Sequence, residues 1–354
     1  MAQYTEHTCT LPNGVNMFYT DSGAPPTTDY TTLLVFHGTG FNGFCLTPLH
    51  QHAHAHNLRI ILCNRRDYHG SSPFTDDEIA ELHAGKKMFQ DRIALQTAWL
   101  LEHFIKHENT PRPTDDGKKG GFILMGWSFG CSSVLALLSD PVAIPAQLYQ
   151  TVEPYLRSFV LDDPPFEAMG HFPPQLPELY NAFADPAYTT FEEKFANFQH
   201  WISSYFKHPN IGSGDAAGMF VAKPSPDSAN STFSRWTDEE KVRYSEQAAA
   251  VRADLPALSP AMQATLKGQF HSAVFSAEVV SSHFPRTAIL YISGADTVYP
   301  AMWGYMASSS MYAAAQARGD VLRPMTFRLV EGGNHFMHYD SPDVLLGEIV
   351  DCRK

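Results

Sequence analysis

Residues 121–138 read GFILMGWSFGCSSVLALL. A short apolar run, GFILM, leads into Gly-Trp-Ser-Phe-Gly and then into the helix-like run CSSVLALL. Near-continuous apolarity over a few residues suits a strand covered on both faces. Such a strand has to turn sharply to feed the following helix, and Ser128 stands at the turn between Gly126 and Gly130. Small neighbours let the backbone pass close to itself there. The turn would lift the Ser128 hydroxyl clear of the sheet, beside the N-terminus of the helix. A bland turn of small residues would carry the same five letters, so the rest of the chain must supply a base, an acid and an oxyanion site.

The same punctuation recurs along the chain. TLLVF (32–36) breaks into HGTGFNG, LRIILC (58–63) into NRRDYHGSSP, and SFVL (158–161) into DDPP. TAILYIS (287–293) breaks into GADTVYP, and MTFRLV (325–330) into EGGNHF. Helix-length stretches lie between them: 86–107, with Phe89, Ile93, Leu100 and Phe104 at helical spacing, then 132–138 and 301–318. Alternating strands and helices predict an α/β fold, a mostly parallel sheet with helices on both faces. Pro12-Asn13-Gly14 between two short alternating runs predicts an antiparallel hairpin at the sheet edge. Residues 164–285 break the rhythm. They are rich in aromatics and proline, with helix-like pieces at 191–206 and 237–251, the second opened by a Thr237–Glu240 capping-box pattern. The expected organisation is a core of 1–163 and 286–354 with a helical cap at 164–285. Residues 109–120, 212–218 and 223–231 read as loops.

A serine hydroxyl is a poor nucleophile without a base. Among 17 histidines, His335 is chosen by position: Gly332-Gly333 releases the chain from the last strand, which sets His335 beyond the sheet's carboxyl edge, where sites form. His338 is the rival without that lead-in. For the acid that orients the imidazole, Asp296 in SGADTVYP is chosen, at the end of the preceding strand; Asp162 or Asp163 in LDDPP, one strand earlier, is the rival. Two backbone N–H donors are needed for an oxyanion. Phe129, just after the serine, offers one, and Thr39 in HGTG the other, with Gly38 and Gly40 permitting close approach and His37 organising the loop. Trp127 and Trp303 are placed in the substrate pocket.

Composition narrows the partners. The 354 residues carry a net charge of −12, with 44% hydrophobic and 18% charged residues. Globular content without a basic stripe speaks against nucleic acid and anionic membrane. No apolar run is long enough to span a bilayer, and the first residues do not read as a secretory signal. Five scattered cysteines, the odd number included, suit a reducing compartment, so a cytoplasmic location is expected. Asn230-Ser231-Thr232 is a formal sequon and reads as a loop. His50, His52, His54 and His56 alternate without a carboxylate among them, so no metal site is expected; no cofactor is expected either. A homodimer is left open.

Together HG at 37–38, the serine turn at 126–130, Asp296 after a strand and the late His335 resemble the α/β-hydrolase superfamily in its serine-nucleophile branch. RRDYHGSSP (65–73) is similar to that family's Asp-x-Arg-Gly-x-Gly-x-Ser, with Tyr68 and His69 replacing part of it. The resemblance implies Ser128, Asp296 and His335 as a catalytic triad and 164–285 as the family's variable cap. It speaks against epoxide hydrolases and haloalkane dehalogenases, which place an aspartate where Ser128 stands. The expected activity is hydrolysis of a carboxylic ester or lactone of a small to medium, mostly apolar molecule through an acyl-enzyme. Carbon–carbon hydrolysis, acyl transfer, and a non-catalytic binding protein on this fold are the alternatives.

Overall fold

The computed structural model describes residues 4–223 and 231–351. Part of the 223–231 loop, Asn230 of the sequon and Cys352 therefore lie outside the described residues. Eight strands form one sheet in the order β1-β2-β4-β3-β5-β6-β7-β8. They are β1 (Thr5–Thr10), β2 (Asn16–Asp21), β3 (Thr31–Phe36), β4 (Leu58–Cys63), β5 (Phe122–Trp127), β6 (Leu156–Asp162), β7 (Ala288–Gly294) and β8 (Met325–Val330). The opening hairpin is antiparallel, and β2 joins β4 antiparallel. All pairings from β4 through β8 are parallel. The parallel strands therefore present their carboxyl ends at one edge, where HGTG, GWSFG, DDPP, GADT and GGNH come together.

Side chains alternate across the sheet with period two. Leu33, Ile60, Ile123, Met125 and Trp127 face one core cluster, and Leu34, Ile61, Phe122, Leu124 and Phe159 face the other. Because β3, β4 and β5 are buried along their whole length, they read as unbroken apolar runs rather than alternating ones. The helices α1 (Lys87–His107) and α2 (Cys131–Ser139) supply Leu100, Phe104, Val134 and Leu138 to the second cluster.

No strand interrupts the described residues between β6 and β7. Capping boxes open the helix α3 (Phe191–Ile202) at Thr190–Glu193 and the short helix Asp238–Tyr244 at Thr237–Glu240. The helix expected over 237–251 is broken at Ser245 and Glu246, where its backbone is taken elsewhere, and the chain is helical again from Gln247. Asn42 N–H donates to Tyr244 O at 2.9 Å and Glu246 N–H to Gly40 O at 2.9 Å, a one-residue antiparallel bridge onto the HGTG loop. The insertion also divides. Its helix α4 (Pro260–Phe275) is bolted to α2, with Gln269 Nε2 donating to Ser132 O at 2.8 Å and Ser272 Oγ to Ser139 O at 2.6 Å. Phe270 and Val274 of α4 sit in the cluster beneath the sheet, while Phe195, Phe198 and Trp201 of α3 join the cluster on the opposite face. Within the stretch 164–285, expected to form a cap, α4 therefore packs with α2 on the face of the sheet opposite α3.

Candidate active site

Ser128 sits directly after β5 with φ of +54°. This left-handed backbone is costly for a residue with a side chain and persists only where its surroundings enforce it. The glycines do so. A Cβ on Gly126 would lie 2.4 Å from the Cys131 nitrogen, and one on Gly130 would lie 2.3 Å from the Phe36 oxygen. A Cβ on Gly38 would lie 2.7 Å from Ser128 Cβ and 3.1 Å from its Oγ. The HG of HGTG is therefore the wall against which the serine stands.

His335 is 2% exposed, and its Nδ1 bonds Asp163 Oδ2 at 2.6 Å. Asp163, not Asp296, is thus the carboxylate beside the imidazole, and the choice of Asp296 is corrected. Asp163 has φ of +51° and is fully buried. Its carboxylate also accepts from the Ser293 and Thr297 hydroxyls, and from Gly294 N–H at 3.3 Å. The Asp296 carboxylate pairs instead with Lys207 from the insertion, and its backbone is held between Gly333 and Phe206. Neighbouring Asp162 has an unpartnered Oδ1, and burial, reinforced by the charge of Asp163, pushes its carboxyl well above the usual range.

His338 is fully buried with Nδ1 unpartnered, its ring 4.2 Å from that of Trp127, and burial drives its pKa well down. It packs; it does not face Ser128's cavity. Trp127 serves two ends: its Nε1 donates to His335 O at 2.7 Å, and its ring lines the cavity. Trp303 does not line that cavity. It lies a turn into the helix α5 (Tyr299–Arg318), its Nε1 donating to Phe172 O at 2.8 Å, and packs near Met302 and Met306. The first turn of α5, Tyr299–Ala301, reaches the cavity in its place.

The HGTG loop is tied down by the stretch that departs from the family pattern. His37 Nε2 accepts from Arg65 N–H at 2.9 Å, so Nδ1 carries the proton and donates to Gly38 O at 2.9 Å. Burial, with the Arg65 charge adding to it, holds His37 neutral and far below its usual pKa, which suits an organiser and not a second base. The Arg65 guanidinium donates to His37 O at 2.9 Å and Gly38 O at 2.8 Å, and grips Asp254 at 2.7 and 2.6 Å. Tyr68 OH bonds Asp254 at 2.5 Å and receives Gly40 N–H at 2.8 Å. Gly40 has φ of +76°, and a Cβ there would meet Phe195 at 3.0 Å. Arg65, Tyr68 and Asp254 were missed from sequence. The altered RRDYHGSSP was the only signal, and Asp254 lies in a helical stretch with nothing to mark it.

Ser128, His335, Thr39, Phe41 and Trp127 line one cavity of about 210 Å³ together with Phe183, Phe198 and Trp201 from the stretch between β6 and β7. No direct hydrogen bond joins Ser128 to His335 among the described residues, a looseness common before substrate tightens a site. Phe129 N–H lies in the first turn after the serine, where amides have no partner within the helix. Of the alternating histidines, His50 bonds Thr20 at 2.9 Å, while His52 and His56 lie 3.3 and 2.9 Å from Asp343. Among the described residues no group of three or more His, Cys, Asp or Glu could hold a metal ion.

A parallel sheet with a serine on a strained strand-to-helix turn and a histidine after its last strand has the architecture of an alpha/beta hydrolase. The chain belongs to the alpha/beta hydrolase family, whose model matches residues 33–348. No curated protein matches it. Among solved structures it is similar to an epoxide hydrolase from Vigna radiata, at 12% identity and a TM-score of 0.54 over 99% of this chain and 98% of that one. It is similar to a candidate aryl esterase from Burkholderia cenocepacia at 14% identity and a TM-score of 0.51, over 98% of this chain and 97% of that one. Epoxide hydrolase A from Mycobacterium thermoresistibile follows at 12% and 0.50, over 99% and 98%. At these identities the likeness is one of fold. No described helix is long and apolar enough to cross a membrane.

Proposed function

We propose that the protein is a serine hydrolase that cleaves a carboxylic ester or lactone of a small to medium, mostly apolar molecule. The observation that carries this reading is the joint placement of a left-handed Ser128 and the Asp163–His335 pair at one cavity. Asp163 on Nδ1 leaves Nε2 of His335 to take the serine proton as Ser128 attacks the carbonyl. The amides of Phe129 and Thr39 would receive the developing oxyanion, each donor contributing roughly 3–4 kcal/mol to the transition state. His335 then protonates the leaving group, and water activated by the same nitrogen releases the acid. Ser128 in place of an aspartate supports an acyl-enzyme over the alkyl-enzyme ester of an epoxide hydrolase.

A fluorophosphonate probe followed by intact-mass measurement tests this reading. The expected result is one adduct, mapped to Ser128 and absent from Ser128→Ala, with turnover on a graded ester and lactone panel lost in the same variant. An unlabelled protein, under conditions that label a control esterase, or turnover retained by Ser128→Ala, would remove the serine from the role.

A further inference from the structure

The cavity carries an acid that ester hydrolysis does not require, in a lining where Thr39 Oγ1 and Trp201 Nε1 are also without hydrogen-bond partners. Glu167 stands four residues after Asp163, in the short turn Phe166–Met169 that follows β6. Phe166, Ala168 and Met169 are buried and hold that turn in place. Glu167 lines the cavity, the only carboxylate, lysine or arginine among its described lining residues. Its Oε2 is shut from solvent and has no hydrogen-bond partner. Glu167 as a whole is part-buried, so the unpartnered oxygen is the one turned away from water, and a carboxylate oxygen left so is costly unless something that enters the cavity supplies the partner. The remaining walls are mostly apolar, with rings such as Trp127, Phe198, Trp201 and Tyr299 beside aliphatic Ile202 and Leu255.

We propose that Glu167 sets the substrate preference of this cavity, and that the substrate carries a basic amine bound there as the ammonium ion. The proposal rests on the serine hydrolase reading and narrows its substrate class. An ammonium satisfies both halves of the lining: it pairs with the carboxylate in a low-dielectric space, and aromatic faces attract cations. A hydroxyl could satisfy one oxygen but would gain nothing from the rings. Burial holds the Glu167 carboxyl up at about 7, and its charge adds to the burial that raises the Tyr299 phenol. An incoming cation would draw the proton off Glu167 and stabilise the carboxylate.

The test uses three nitrophenyl esters of matched length, ending in dimethylamino, isopropyl or hydroxyl. The wild-type protein should favour the amine over the isopropyl ester by roughly 10- to 100-fold in kcat/KM. Glu167→Gln should bring that ratio close to one, and a ratio within one variant cancels any general loss of activity. A wild-type ratio near or below one, or a preference that survives in Glu167→Gln, would overturn the proposal. So would a hydroxyl ester preferred to both others. Calorimetric binding of the same esters to Ser128→Ala reads the preference without turnover. There, tighter binding of the amine ester that disappears on adding Glu167→Gln supports the ammonium site even if the wild-type protein hydrolyses none of the three, in which case the hydrolase reading alone fails.

Discussion

Asp163 and Asp296 differ by what each carboxylate touches. Asp163 holds the His335 ring nitrogen and is itself fixed by two hydroxyls and an amide, whereas Asp296 faces a lysine that is 83% exposed. Asp163→Asn should therefore lower kcat on the order of 10³–10⁴-fold. Asp296→Asn should change it by only a few-fold, since an ion pair to an exposed lysine contributes about 1 kcal/mol or less. Steady-state kinetics on one ester decide, and the reverse ranking would return the acid to the end of β7. Gly38→Ala is a second test at this scale. Its new Cβ would crowd Ser128 at 2.7 Å, so kcat should fall on the order of 100-fold while the melting curve stays cooperative. The glycines and the serine were legible in the sequence because steric need selects residue type at a tight turn. The choice between two aspartates was not: both end adjacent strands at the same edge, and only the approach of Lys207 from the insertion engages one of them.

The loop 37–40 is held by two elements far away in the chain, the turn after β4 and the segment around Asp254. Arg65 joins both. Arg65→Met would leave the buried Asp254 carboxylate without its cation, which should cost about 3–5 kcal/mol in denaturant unfolding. It should also loosen the backbone that carries Thr39, so kcat should fall further than KM rises. A loss of stability with unchanged kcat would show that the latch only holds the segment around Asp254 in place. The pairing of this loop region with Tyr244 and Glu246 explains why the helix expected over 237–251 is interrupted at Ser245 and Glu246 before it resumes at Gln247. The amide of Glu246 and the carbonyl of Tyr244 are spent on the loop, and helix propensity yields to that tertiary pairing. The sequence carried the capping box at Thr237 but no sign of the interruption.

For the molecule as a whole, buried titratable groups set the acid limit of stability. His37 and His338 are held well below their ordinary pKa by burial, and burial lowers His50 and His171 to about 4. A histidine with a depressed folded pKa contributes stability that is complete above its unfolded value of about 6.5 and is lost as pH falls toward the folded value, at up to about 1.4 kcal/mol per pH unit for each such group. Raised carboxyls act in the opposite sense between about pH 4 and 7; among the described residues these are Asp67, Asp162 and Glu167. The histidines outnumber them, and His103, His200, His208 and His283 add shifts of the same sign. Thermal melts should therefore show the melting temperature dropping between pH 6.5 and 5, and a flat or rising profile would mean that the histidines do not outweigh the raised carboxyls.

What the sequence by itself determined is local and periodic. Apolar runs of strand length, the turn residues that end them and the serine between glycines each answer to a constraint acting within a few residues. They were enough for the sheet, its hairpin edge, the helices on its faces and the places of Ser128 and His335. What only the tertiary structure decided depends on partners distant in the chain. Asp163 rather than Asp296 meets His335 because β6 and β7 lie side by side and Lys207 reaches over the second. Helix α4 packs apart from α3 because its side chains fit beneath the sheet against α2, and a helix's apolar face does not say which of two surfaces will cover it. Trp303 left the cavity and Glu167 entered it for the same reason: hydropathy ranks a side chain's preference for burial, while the packing of the whole chain decides what it is buried against.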